Sequence, residues 1–247
     1  MFDFGSGVLL ASSTTLANPS GLNFGLLQEV STDLSFDTKM LYGQYQFPVA
    51  LGRGKAKFSA KAKMARISGL VMANLFLGVA PTVGELLTSF GETGTIPASS
   101  TYTVQAAQHS TFVDDYGVVY ATTGLPFVKV ASLTAVGQYT ESAGTFTFYS
   151  GDAGVAVLLN YTYTVTTAGT QQVAITNQLM GSTPTFQCQL YGGSFGGVPF
   201  NMKLYNCVCN KIGLATKLDD FMVPEIDFDI LANSAGNVGL LSFGEVS

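Results

Sequence analysis

The chain has 247 residues, enough for one large β domain or two small ones with a real core. Charged residues make up 11% of it and the formal net charge is −5, where an ordinary soluble domain carries roughly a quarter charged residues. That balance argues against a nucleic-acid binder, which needs clustered excess cations, and no apolar run reaches the roughly 18 residues of a membrane helix.

The opening MFDFGSGVLL lacks the basic stretch of a signal peptide and carries Asp3, so a cytosolic product is expected. A surface so poor in charge suits a protein that buries much of itself against neighbours, although composition alone does not locate an interface.

Period-2 alternation dominates and marks strands with unlike faces. From Ser31 to Asp37 it is weak, with Asp33 and Asp37 opposite Leu34 and Phe36. From Arg53 to Met64 it is nearly strict. Arg53, Lys55, Lys57, Ser59, Lys61 and Lys63 share one face, and Ala56, Phe58, Ala60, Ala62 and Met64 share the other. Six of the eleven cations, these five and Arg66, lie within fourteen residues. Near the end, Glu225, Asp227 and Asp229 alternate with Ile226, Phe228 and Ile230. Opposite charges across strands select register more than they stabilise. The basic strand is therefore expected beside an acidic one, within the chain or across a subunit boundary.

One helix is predicted over Ile67 to Leu77, with Ser68 as N-cap and Gly78 as its end. Residues 81–92 are read as a short second helix. After Gly91 the composition turns rich in Thr, Tyr, Gly and Val. Strands are expected at Tyr102–Gln105, Val118–Ala121, Phe127–Val130, Thr145–Tyr149 and Val155–Val165. Turns are expected at Asp115-Tyr116-Gly117, Thr123-Gly124, Ser142-Ala143-Gly144 and Gly151 to Gly154. Residues 95–168 thus read as a compact all-β module inserted into a discontinuous first domain, 1–94 with 169–247. Strands resume at Gln171–Asn177, Thr185–Leu190 and Phe200–Ile212, the last two as a long hairpin turning through Gly192 to Gly197. Cys207 and Cys209 share a strand face. With no zinc-site spacing and a single His, the three cysteines are expected as free thiols.

The residues offer little catalytic chemistry. His109 is adjacent to Ser110, and adjacent side chains do not generally face each other; Asp114 and Asp115 follow five and six residues on. Asp114/Asp115 and Asp219/Asp220 could suggest glycosidase carboxylates, but turn chemistry explains them better. GSFGGVPF (193–200) lacks the GK[ST] ending of a phosphate loop. Asp152 in YSGDAG lacks the spaced partners of a calcium loop. A structural or surface role for His109 is expected, and the chain reads as non-enzymatic, with no catalytic, cofactor or metal residues.

Two stretches resemble the tail tube proteins of tailed bacteriophages. DTKMLYGQYQFPVALGRGKAKFSAKAKMARISG (37–69) is similar to that family's LYG…FPV…GKAK stretch. LYNCVCNKIGLATKLDDFMVPEIDFDILANSAGNVGLLS (204–242) is similar to its closing segment. There Pro224, Glu225, Asp227, Phe228 and Gly236-Asn237-Val238-Gly239 match, while Asn233 stands where Asp is commoner. Part of the insert, GLPFVKVASLTAVGQYTESAGTFTFYSGDAGVAVLLNYTYT, resembles a small β module of phage virion proteins.

The resemblance implies a mainly β fold: a barrel or sandwich with one flanking helix, the insert being a small β-sandwich. It implies hexameric rings stacked into a hollow tube in the virion, assembled in the host cytoplasm. DNA would pass through the lumen unbound, with sheath, tape-measure and baseplate proteins as possible partners and no membrane. Arg53, Lys55, Lys57, Lys61, Lys63 and Arg66, with Asp33, Asp37, Glu225, Asp227 and Asp229, are the expected subunit-contact residues, together with the Thr185–Ile212 hairpin. Two alternatives stay open. One is another virion part, such as a baseplate or terminator ring or a capsid decoration protein; the other is a carbohydrate-binding module using Tyr139 or Tyr149.

Overall fold

The computed structural model describes residues 7–17, 19–66, 68–167, 169–192, 200–216 and 218–242. The chain is mainly β and divides into two compact units, residues 1–81 with 173–247, and residues 82–172.

The first unit holds β1 (Val8–Ser13), β2 (Leu22–Asn23), β3 (Leu27–Tyr42), β4 (Pro48–Met64) and a helix, α1. The inserted unit supplies β5 (Thr82–Val83), β6 (Glu85–Thr95), β7 (Thr103–Gln105), β8 (Phe112–Tyr120), β9 (Val128–Lys129), β10 (Gln138–Ser142), β11 (Thr145–Phe148), β12 (Ala156–Val165) and β13 (Gln171–Gln172). The first unit resumes with β14 (Phe186–Gly192), β15 (Phe200–Gly213), β16 (Glu225–Ile230) and β17 (Gly239–Ser242).

The first unit is one antiparallel sheet in the order β2-β1-β14-β15-β16-β4-β3, with β17 beside β16 on the same flank of β15. Among the described residues it ends in unpaired edges at β2 and β3 and does not close, which corrects the expectation of a barrel. Phe58, Ala60, Ala62 and Met64 of β4 and Ile226, Phe228 and Ile230 of β16 supply one face. Phe186, Cys188, Leu204 and Cys207 of the β14–β15 hairpin continue it, and all but the half-buried Phe58 are buried.

Helix α1 packs its Val71, Leu75 and Phe76 onto that face. It is α-helical over Gly69–Val71 and widens to a π-helix over Met72–Leu77. Ser68 stands at its N-cap without a side-chain cap hydrogen bond, and Ile67 lies outside the described residues. Gly78 ends it in the left-handed conformation, φ 64°. A Cβ there would also stand 2.9 Å from Pro184, so both backbone and space call for glycine.

In the inserted unit a three-stranded sheet, β6-β12-β8, and a four-stranded sheet, β7-β11-β10-β9, contribute to a single core. Val118, Leu159 and Tyr161 come from one sheet and Tyr139, Phe146 and Phe148 from the other. β5 pairs β13 where the chain enters and leaves.

Several expectations are corrected. Within residues 81–92 the chain forms β5 and most of β6 rather than a helix: Thr82, Val83 and Thr88 favour extended backbone, and β6 pairs with β12 on both sides of its Phe90-Gly91 bulge. With the β5–β13 pair, it carries the inserted unit's boundary back to residue 82. Asp115-Tyr116-Gly117 is a bulge inside β8, not a turn. Of Gln171–Asn177 only Gln171 and Gln172 pair. The glycine-rich stretch 193–199 lies outside the described residues.

Candidate functional site

β4 lies between two acidic strands. β16 pairs it antiparallel with Glu225 opposite Lys63, Asp227 opposite Lys61 and Asp229 opposite Ser59. β3 pairs its other edge, with Glu29 opposite Lys63, Ser31 opposite Lys61 and Asp33 opposite Ser59. The complementary strands are thus neighbours within one chain.

Lys61 Nζ is hydrogen-bonded to Glu225 Oε1 and stands 3.8 Å from Asp227 Oδ1. Lys211 of β15 approaches the same carboxylates at 3.4 and 3.8 Å, and Lys63 reaches Glu29 at 2.6 Å. The hydrogen bond to Glu225 raises the Lys61 pKa, and the reciprocal bond holds Glu225 below the usual carboxylate range. Asp229 Oδ2 accepts from Asn210 Nδ2 at 2.8 Å, while its buried Oδ1 has no hydrogen-bond partner among the described residues.

Of the residues expected to act together, Lys61, Lys63, Glu225 and Asp227 are joined by ion pairs or register. Glu29 and Lys211 were missed. Glu29 continues the Ser31–Asp33 alternation one step earlier, so its signal was present; Lys211 follows a bulge between Cys209 and Lys211 that no pattern announces.

Lys55, Lys57, Arg66, Asp33 and Asp37 form no ion pair among the described residues. Arg53 is corrected. A bulge in β4 between Arg53 and Ala56 shifts the alternation, and the guanidinium lies over the Phe36 ring, 4.7 Å from its centre, on the apolar face.

β16 pairs β4 only over Ser59–Lys63. Beyond that point β3 and β4 run on as a two-stranded ribbon with exposed apolar side chains: Met40, Leu41, Tyr42, Tyr45, Phe47, Val49 and Leu51, with Phe47 80% exposed. At its root Leu34, Phe36, Ala56 and Phe58 face Met202, Leu204, Leu240 and Leu241 across an apolar trough of about 550 Å³. The trough extends the face that α1 covers elsewhere.

The remaining candidates resolve into structural roles. His109 Nδ1 lies 3.1 Å from the Ala106 carbonyl oxygen, in a single helical turn. Asp115 accepts from Tyr139 Oη at 2.8 Å and from the Gly117 amide at 2.8 Å, and pairs with Lys129 at 2.9 Å. Asp152 is buried and accepts from the Gly137 amide at 2.9 Å and from Tyr120 Oη at 3.3 Å. Tyr139 is 2% exposed, and burial drives its phenol pKa up; it belongs to the core and is unavailable to a sugar.

Cys188 and Cys207 are buried with sulfurs 3.7 Å apart, and burial pushes the Cys209 thiol up to about 11. Among the described residues no group of three or more His, Cys, Asp or Glu could hold a metal ion, and no helix is long and apolar enough to cross a membrane. No protein-family model matches the chain, and no curated protein matches its sequence.

Proposed function

We propose that the chain is a self-assembling structural subunit whose copies join through the β3–β4 ribbon and form stacked rings, the tube of a phage tail. The observation that carries this reading is the ribbon itself. An isolated two-stranded hairpin is at best marginally stable in water, and this one exposes Phe47, Tyr45, Val49 and Leu41 with no covering element among the described residues. Exposed apolar surface of that extent marks an interaction site. Lys55 and Lys57, which form no ion pair among the described residues, can select a partner by charge.

A second copy supplies the matching chemistry, because the same chain carries Asp33 and Asp37, which form no ion pair among the described residues, and an apolar trough that no described element covers. Contacts between two different patches of one chain are heterologous, and repeating them gives a ring or a filament. The sequence resemblance to tail tube proteins supplies the closed, stacked-ring form, and the acidic balance of the chain suits a lumen that DNA crosses without sticking.

Negative-stain microscopy of the purified chain tests this, with open cylinders of uniform diameter as the expected result. The charge-reversed variant K55E/K57E is expected to keep its β circular-dichroism spectrum and lose the cylinders. Wild-type protein that stays monomeric at high concentration overturns the reading.

A further inference from the structure

Two bulges in the inserted unit lie at one level on either side of β12. Leu159 pairs with Glu92 of β6 and Val118 of β8, and Tyr161 pairs with Ser89 and Asp115. Between those pairs, Phe90-Gly91 on one side and Tyr116-Gly117 on the other both oppose the single residue Asn160. Asn160 fastens both: its Oδ1 accepts from the Gly91 amide at 2.9 Å, and its Nδ2 donates to the Gly117 carbonyl at 3.3 Å. Gly91 and Gly117 take φ of 71° and 103°, which a side chain would strain.

Leu159 and Tyr161 point into the core, so Asn160 lies on the outer face. Phe90 follows the core-facing Ser89 and Tyr116 follows the core-facing Asp115, which places both rings on that outer face. They are 89% and 67% exposed. The pairing rows above and below bring Thr93 level with Leu158 and Val119, and Thr88 level with Thr162 and Asp114. Thr88, Thr93 and Asp114 are exposed.

Two aromatic rings stand proud of a sheet face whose adjacent rows hold exposed hydroxyls and a carboxylate beside half-buried Leu158 and Val119, with exposed Leu86 one row beyond Thr88. This is not a continuous apolar patch of the kind a protein partner buries. A phosphate-bearing chain would meet Asp114 and no cation in these rows. The rings suit the C–H faces of pyranoses, while Thr88, Thr93 and Asp114 suit their hydroxyls. The rings sit on strands two spacings apart, roughly 10 Å, which matches the disaccharide repeat of an extended β-1,4-linked chain.

We infer that the outer face of β6-β12-β8 binds a neutral, extended β-1,4-linked oligosaccharide, with Phe90 and Tyr116 stacking on alternate sugars. The aligned bulges, fastened by Asn160, set both rings at one level, and the inference stands apart from the assembly reading.

Calorimetric titration of the full chain with cellohexaose, chitohexaose and maltohexaose provides the test. At least one of the β-1,4-linked probes is expected to bind, and the coiled α-1,4-linked maltohexaose to bind at least tenfold more weakly. F90A/Y116A is expected to weaken binding tenfold or more with its circular-dichroism spectrum and melting temperature unchanged, and F90Y to retain binding. Three results overturn the proposal: no binding of either β-linked probe at millimolar concentration, equal binding of maltohexaose, or affinity unchanged in F90A/Y116A.

Discussion

Glu225 receives two lysines from two different strands, Lys61 from β4 and Lys211 from β15, and so pins three strands at one level. Its pKa lies below the usual carboxylate range, chiefly because of the Lys61 hydrogen bond. A folded pKa below the unfolded value contributes stability above the unfolded pKa, about 4.3 for Glu, and that contribution disappears as pH falls through the folded value. E225Q is therefore expected to melt below wild type at pH 7, and the gap between their melting temperatures to narrow as pH falls from about 5 to 3. A gap that stays constant over that range shows that the pair contributes no linked stability. Lys61 belongs to this network, so reversing it would disturb the sheet itself. Lys55 and Lys57 form no ion pair among the described residues, so their reversal is the test of the proposed assembly that leaves this network intact.

At the level of elements, the alternations at Phe58–Met64 and Glu225–Ile230 are written in the sequence because one face of each strand meets the core and the other meets charge. Gly78 likewise bounds α1 at its end, whereas Ser68 takes the N-cap position without a side-chain cap hydrogen bond and the π-helical widening has no local signal. The short strand β10, GlnTyrThrGluSer, offers one core residue, Tyr139, and escaped notice for that reason. Bulges are the main illegible feature. One moved Arg53 to the opposite face, another made Asp115-Tyr116-Gly117 look like a turn, and neither depends on residues that alternation can detect. The ribbon tip was illegible too: Val49 and Leu51 alternate as core residues do, so exposure could not be read from them. The paired bulges make a testable element. N160A removes both side-chain hydrogen bonds to the bulge backbones, and a loss of about 1–2 kcal/mol is expected in urea denaturation. An unchanged midpoint would mean that the bulges hold without Asn160.

For the molecule as a whole, the two units have separate cores, one built around Phe186, Phe228 and Met64 and the other around Phe146, Phe148 and Tyr161. The chain enters and leaves the inserted unit through one pair of strands, with Thr82 opposite Gln172. Directly opposed Cα atoms in such a pair lie about 5 Å apart, so a short Gly-Ser linker from Pro81 to Val173 can replace the insert without stretching the remainder. Removing a long insertion costs little in loop closure, because that entropy grows slowly with length. Deletion of residues 82–172 is therefore expected to leave a folded β protein that still forms cylinders. Residues 82–172 expressed alone are expected to fold as a monomer that binds the β-1,4-linked oligosaccharide. Circular dichroism, size-exclusion chromatography and microscopy of the two fragments read these outcomes separately. A deleted chain that folds but no longer assembles would place an essential subunit contact on the insert and move the assembly surface away from the β3–β4 ribbon.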